Sequence, residues 1–171
     1  LDVVSYNAAI SAGGTGSRWH EALGMFSDMR LRRLEPDVIT YNAAICSYAQ
    51  YVGWHEALGV FSDMRLRRLE HNLITYNSAI NVCGKGARWR RALGMLSEMR
   101  VRRLEPDAAS CNAAISACGQ GARWQEALGV FLGMTRCRHQ VDAISYNAAI
   151  SACEKGARWH EALGMFLDLP R

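Results

Sequence analysis

Asparagine recurs in this chain beside an apolar residue at a fixed spacing. Val4, Asn7, Ser11 and Thr15 fall at i, i+3, i+7 and i+11, as do Ile74, Asn77, Asn81 and Lys85, and again Ile144, Asn147, Ser151 and Lys155. On a helix such residues share one face. One apolar residue to pack on a planar ring, one amide to bond its edge and an occasional lysine to meet phosphate would suit a polymer of bases. The same asparagines, early in a helix, are equally placed to bond local backbone.

Other residues with chemistry to offer lack the spacing for it. His20-Glu21, His55-Glu56 and His160-Glu161 recur at one position, but a zinc deaminase needs H-x-E followed by CxxC, and neither is present. They read as surface or capping residues. No GxxxxGK[ST] or GxSxG motif appears. Cys83, Cys118 and Cys153 sit one period apart, which separates them into different layers; Cys46, Cys111 and Cys137 have no CxxC and no histidine at ligand spacing. The six cysteines are therefore expected as reduced, buried or half-buried thiols, which suits a reducing compartment. Neither catalysis nor a metal or cofactor is expected.

The elements that must position the asparagines follow from a repeat. The stretch SYNAAISACEKGARWHEALGMF, residues 145–166, has close copies beginning at Ser5, Thr40, Thr75 and Ser110, each 35 residues after the last. A fixed period in this range marks a stacked repeat array. Within the second copy, Tyr41, Ala44, Ile45 and Tyr48 form an apolar helical stripe preceded by Asp37 as N-cap, predicting helix A over 38–50. Trp54, Ala57, Leu58, Phe61 and Met64 predict helix B over 54–67. Pro36 and Pro106 stop helix B in two copies. Glycines between the helices (13, 14 and 16; 84 and 86; 119 and 121) are expected to break helix A and permit a tight turn. Gly24, Gly59, Gly94, Gly129 and Gly164, in mid-helix B, predict close approach of a neighbouring helix. Trp19, Trp54, Trp89, Trp124 and Trp159 open the B helices on the apolar stripe, so core packing is favoured over base stacking.

The bulk numbers agree with an ordered all-α chain. Half of the 171 residues are hydrophobic and 21% are charged, far from disordered composition. The net charge of +4 is compatible with nucleic acid without establishing it. No apolar run approaches the roughly 18 residues that span a bilayer, so no membrane partner is expected. Leu1 falls inside the repeat register and a full unit from Ala143 would run past Arg171, so the chain is expected to be a slice of a longer array.

A unit that opens (Val/Ile)-(Ser/Thr)-Tyr-Asn-x-(Ala/Leu)-Ile, continues to Glu-Ala-Leu and a late Met, and closes on Pro-Asp resembles the pentatricopeptide repeat. Here those residues are Val38 through Ile45, Glu56-Ala57-Leu58, Met64 and Pro106-Asp107. The SACxKGxRWxEAL stretch resembles versions expanded in some protists. The resemblance implies an α-solenoid of stacked antiparallel hairpins in a right-handed superhelix, with repeats at 3–37, 38–72, 73–107, 108–142 and a truncated 143–171. It further implies binding of single-stranded RNA, one nucleotide per repeat, in a mitochondrion or plastid, supporting RNA processing, stability or translation. The base-selecting pairs carried over are Asn7 with Asp37, Asn42 with Asn72, Asn77 with Asp107 and Asn112 with Asp142; Asn147 has its partner beyond the chain end. In the family Asn with Asp favours U, and Asn with Asn favours C or, less strongly, U. The implied target is 5′-U-(C/U)-U-U-(pyrimidine)-3′. Base-sandwiching residues would be Val4, Ile39, Ile74, Ala109 and Ile144. Ala109 offers less surface and Cys111 replaces the usual Tyr, so the fourth layer is expected to hold its base weakly. Only Lys85 and Lys155 match the family's phosphate lysine; Thr15, Gln50 and Gln120 do not.

Two competing functions remain from the residues: a protein-interaction scaffold of the tetratricopeptide kind, and a spacer within a longer array that binds nothing itself. The 35-residue period argues against the scaffold, since that family repeats at 34. Partners other than RNA would be proteins or neighbouring repeats of the full-length chain. Stacking supplies ~1–3 kcal/mol per base and RNA ordering removes much of it, so four complete layers predict affinity on the order of micromolar or weaker.

Overall fold

The computed structural model describes residues 2–14, 18–50, 53–136 and 141–167. Among the described residues the helices are α1 (Val3–Gly14), α2 (Trp19–Leu31), α3 (Val38–Gln50), α4 (Trp54–Leu66), α5 (Leu73–Lys85), α6 (Trp89–Val101), α7 (Ala108–Gln120), α8 (Trp124–Arg136), α9 (Ala143–Lys155) and α10 (Trp159–Leu167), with no strand. Odd-numbered helices are the A helices of the repeat and even-numbered ones the B helices. None of them is long and apolar enough to cross a membrane.

The chain forms two compact units, Leu1–Val82 and Cys83–Arg171. In the first, α1 packs on α2 and on α3, and α3 on α4. In the second, α7 packs on α8 and on α9, and α9 on α10. Thus α1 packs on its own B helix and on the next A helix, and α7 does the same in the second unit. This is the stacking of antiparallel hairpins that the period predicts.

The predicted stripes form the core. Tyr41, Ala44 and Ile45 are fully buried, and so are Ala57 and Met64. B-helix phenylalanines meet the tyrosine of the next A helix edge-on: Phe26 with Tyr41 and Phe61 with Tyr76 at 5.6 Å, Phe131 with Tyr146 at 5.0 Å. In the second linker buried His71 occupies the position of Pro36 and Pro106 and stacks on Phe61 at 4.2 Å. Tyrosines at the A-helix start are tethered to the following B helix: Tyr6 donates to Asp28, and Tyr41 to Asp63 at 2.6 Å. Burial and the Asp63 hydrogen bond push the Tyr41 phenol up to about 12. Arg30 reaches across to Asp63 at 3.8 Å, tying the first repeat to the second.

Helix ends differ from expectation in an informative way. The A helices run through Gly84 and Gly119 instead of breaking there, and the left-handed residue of the turns in the third to fifth repeats is alanine: Ala87, Ala122 and Ala157, with φ of 52–55°. These turns close with the helix-capping pattern in which N–H groups reach back to free carbonyls, as Ala87 N to Gly84 O and Arg88 N to Cys83 O. The B helices end likewise, on Arg33, Arg68 and Arg103 at φ of 57–59°. The turn glycines are required by packing. A Cβ on Gly121 or Gly156 would lie 2.6 Å from the ring of Trp89 or Trp124, which opens the preceding B helix. Arg123 and Arg158 cover the outer side of those rings at 4.7 and 4.5 Å.

Trp89 and Trp124 therefore pack as covers over the next repeat's turn; Trp19 and Trp54 are half-buried like them, and Trp159 is exposed. The mid-helix B glycines overturn their expectation. A Cβ at Gly24, Gly59, Gly94, Gly129 or Gly164 would meet nothing within 4 Å, because these positions face outward from the hairpin stack.

Cys83, Cys111, Cys118 and Cys153 are buried free thiols and Cys46 is half-buried. Burial pushes Cys83 and Cys118 up to about 11, which makes them poor nucleophiles. Cys137 and Thr15 lie outside the described residues.

Candidate nucleic-acid interface

The first turn of each A helix sets the geometry of the face. The side chain one residue past the helix start points away from the core, and the asparagine three residues later stands one turn above it. Val4, Ile39, Ile74 and Ile144 are accordingly left 74%, 61%, 61% and 65% exposed despite being β-branched and apolar. Ala109 is exposed at the same register.

The selecting positions are brought together most completely in the first layer. Asn7 is buried, and its Nδ2 donates to both carboxylate oxygens of Asp37, at 3.1 and 3.2 Å. Asp37 also caps α3, accepting from Thr40 N at 2.9 Å, while Thr40 Oγ1 accepts from Asp37 N at 3.2 Å. The Thr40 hydroxyl then donates to Asn7 Oδ1. Burial alone would push the Asp37 carboxyl up, but the hydrogen bonds from Thr40 and Asn7 outweigh it and hold the group below the usual carboxylate range.

The second layer repeats the motif with an amide in place of the carboxylate. Asn72 Oδ1 caps α5 through Thr75 N at 2.9 Å, and Thr75 Oγ1 donates to Asn42 Oδ1 at 2.7 Å. Asn72 is exposed and Asn42 half-buried. Asn77 is half-buried in the first unit; Asp107, in the second, caps α7 through Ser110 N at 2.8 Å.

The fourth layer differs. Asp142 caps α9, accepting from Ser145 N and Ser145 Oγ at 2.9 Å, and those hydrogen bonds lower its carboxyl. Asn112 Oδ1, however, is buried with no hydrogen-bond partner. Asn147 in the fifth layer is exposed, and Lys85 and Lys155 are exposed at the far ends of α5 and α9.

Reading single helices missed the threonines. Thr40 and Thr75 are fully buried polar residues whose targets lie 33 positions back, in the preceding repeat. Their only trace in the sequence is recurrence of Ser or Thr two residues ahead of each asparagine.

Comparison with known proteins places this arrangement. The PPR repeat family matches residues 1–50, 36–85 and 71–120, and the PPR repeat matches residues 109–139 and 144–171. No curated protein sequence matches the chain. Among solved structures, the pentatricopeptide repeat protein PPR10 from maize is 26% identical with a TM-score of 0.75, over 98% of this chain and 24% of its own. PPR10 in complex with an 18-nt psaJ RNA element is 25% identical with a TM-score of 0.78, over 96% of this chain and 24% of its own. The PPR domain of Arabidopsis thaliana protein-only RNase P 1, in complex with tRNA, shares the fold at 13% identity and a TM-score of 0.79, over 95% of this chain and 86% of its own. This chain spans about a quarter of the length of PPR10. Five tandem hairpins in one register, with matches along nearly all of their length, show that the chain belongs to the pentatricopeptide repeat family.

Proposed function

We propose that this chain reads single-stranded RNA, one nucleotide per repeat, over units 3–37, 38–72, 73–107, 108–142 and 143–171. The preferred sequence is 5′-U-(C/U)-U-U-(pyrimidine)-3′. The observation that carries the reading is the face itself: an apolar side chain left more than 60% exposed in four of five layers, one turn from an asparagine that hydrogen bonds hold in the first two. Val4, Ile39, Ile74, Ala109 and Ile144 pack against base faces. Asn7 with Asp37, Asn42 with Asn72, Asn77 with Asp107, Asn112 with Asp142, and Asn147 select base edges. Lys85 and Lys155 meet phosphate.

Edge chemistry supports the base order. Asn7 and Asp37 offer an amide donor beside a carboxylate acceptor; uracil answers with its O4 acceptor and N3–H donor. Asn42 and Asn72 offer amide donors; cytosine answers with its N3 and O2 acceptors. Guanine carries the same acceptor–donor pattern as uracil at O6 and N1–H, so the test includes it. PPR10 and the RNase P domain were each solved with RNA, which supports an RNA partner here. Family membership supports a role in RNA processing, stability or translation in a mitochondrion or plastid. The role assigned to this chain is binding.

The test is a low-salt titration with eight-base U, C, A and G oligomers, using the chain and its Asn7→Ala, Asn42→Ala, Asn77→Ala, Asn112→Ala quadruple variant. The expected result is micromolar preference for U over A and G that the variant loses. Equal binding of all four by both proteins would overturn it. One observation favours a second reading, a protein-interaction scaffold: Leu31, Leu66 and Val101 are more than 80% exposed at the B-helix ends. Capture of peptide with no RNA binding would select that reading.

A further inference from the structure

The asparagine amide can present either of two faces to a base. A donor NH2 recognises a carbonyl or ring-nitrogen acceptor; a carbonyl oxygen recognises an amino or imino N–H. Residue identity alone leaves that choice open. In the first two layers a residue of the following repeat takes the amide oxygen, and in the first layer Asp37 also takes the NH2. The Thr40 hydroxyl donates to Asn7 Oδ1, and the Thr75 hydroxyl donates to Asn42 Oδ1 at 2.7 Å. Each hydroxyl is fully buried and is itself oriented, accepting from the backbone N–H of the capping selector, Asp37 at 3.2 Å or Asn72 at 3.3 Å. Its single proton has two acceptors in reach, the asparagine oxygen and, at 2.9 Å, the Oδ1 of the capping selector, and the asparagine oxygen is the nearer in both layers.

The same threonine orients the second selector. Thr75 N and Oγ1 both lie 2.9 Å from Asn72 Oδ1, so the Asn72 amide turns its NH2 outward. Thr40 N and Oγ1 both bond Asp37 Oδ1 at 2.9 Å, whereas Oδ2 accepts only from Asn7 Nδ2 at 3.2 Å. Layer four supplies the contrast. Ser145 lacks the methyl that narrows χ1, its hydroxyl bonds only Asp142, and Asn112 Oδ1 is left buried without a partner.

We propose that Thr40 and Thr75 are specificity-determining positioning residues: their hydroxyls hold the amides of Asn7 and Asn42 with NH2 toward the bound base, so each repeat's base preference is set partly by the repeat that follows. Resting on the RNA-reading function above, this adds a third position to each selecting pair.

The experiment uses the whole chain. A Thr40→Val, Thr75→Val double variant keeps shape and removes both hydroxyls; Thr40→Ser, Thr75→Ser restores them. In the RNA-free chain, the side-chain amide resonances of Asn7 and Asn42 are expected to shift in the Val variant and return toward their original positions in the Ser variant. With eight-base U and A oligomers, the U-over-A preference is expected to fall about two- to tenfold per layer in the Val variant, the range of one hydrogen bond, and to recover only in part in the Ser variant, whose hydroxyl lacks the methyl that narrows χ1. A purely structural role would weaken both oligomers alike. Ser145→Thr tests the idea in the opposite direction: it is expected to raise the preference by a similar factor. Unshifted amide resonances, or a preference that survives the Val change and ignores Ser145→Thr, would overturn the hydroxyl's role. Absence of any base preference in the unaltered chain would instead overturn the RNA-reading function, and the amide resonances would still report whether the hydroxyls hold the asparagines.

Discussion

The first two repeats and the fourth occupy one register, yet polar groups that are closed in the former are open or deleted in the latter. Tyr6 and Tyr41 each reach a carboxylate 22 residues on, Asp28 and Asp63. The fourth repeat has Cys111 and Gly133 at those two positions, so the tether is lost at both ends together. Removing one partner would have left a buried polar group unsatisfied; removing both costs little. Cys111 instead joins an apolar cluster with Ile115, Phe131 and Met134. The selecting asparagine has no such compensation, since Asn112 keeps its amide while its oxygen has lost the threonine. Repetition thus transmits position faithfully, but polar satisfaction must be met pair by pair.

Substitutions can break or sharpen this contrast. The largest effect is expected at the tether. Tyr41→Phe leaves Asp63 without its phenol donor and should cost about 1.5–3 kcal/mol, the range for a hydrogen bond to a charged group, measured by denaturant unfolding. The complementary Cys111→Tyr, Gly133→Asp pair should show favourable coupling of about 1 kcal/mol in a double-mutant cycle, and zero coupling would mean the fourth repeat cannot host the tether.

Two glycines of the fourth repeat should respond with opposite signs. Gly121→Ala drives a Cβ into the Trp89 ring and should destabilise by about 1–3 kcal/mol. Gly129→Ala, on the open face, should stabilise by about 1 kcal/mol, as should Gly59→Ala in the second repeat. Equal signs at Gly121 and Gly129 would refute the division between covered turns and open helix B. Arg33→Gly and Arg68→Gly relieve left-handed backbone and should raise the melting temperature slightly.

The smallest effect is acid sensitivity. Asp37 titrates below its unfolded value of 3.8, so its contribution to stability is present above that pH and is lost as pH falls through the lower folded value. Asp37→Asn should flatten the part of the stability profile between those two values, and an unchanged profile would show that the Asn7–Thr40 network does not stabilise the carboxylate.

Much of this was legible from one chain. The period, the two helices of each hairpin and their buried stripes follow from spacing, because a 3.6-residue helix must place Tyr41, Ala44 and Ile45 on one side wherever it packs. The exposed partner face of Val4, Ile39, Ile74 and Ile144 follows from the same geometry. Helix B ended at Leu66 against an expected 67, within the fraying of any helix end. What spacing along one helix does not encode is contact between helices. The cover of Trp89 over Gly121, the reach of Tyr41 to Asp63 and the bond from Thr40 to Asn7 join residues 22 to 33 positions apart. The mid-helix B glycines, expected in a close contact, face open space for the same reason: which side of a helix meets its neighbour is decided when hairpins stack. The sequence by itself determined the helices, their register and the type of residue at each point of the face. Only tertiary packing decided which hydroxyl meets which amide, because a hydrogen bond requires about 3 Å and a direction, and those arise only when one repeat is laid against the next.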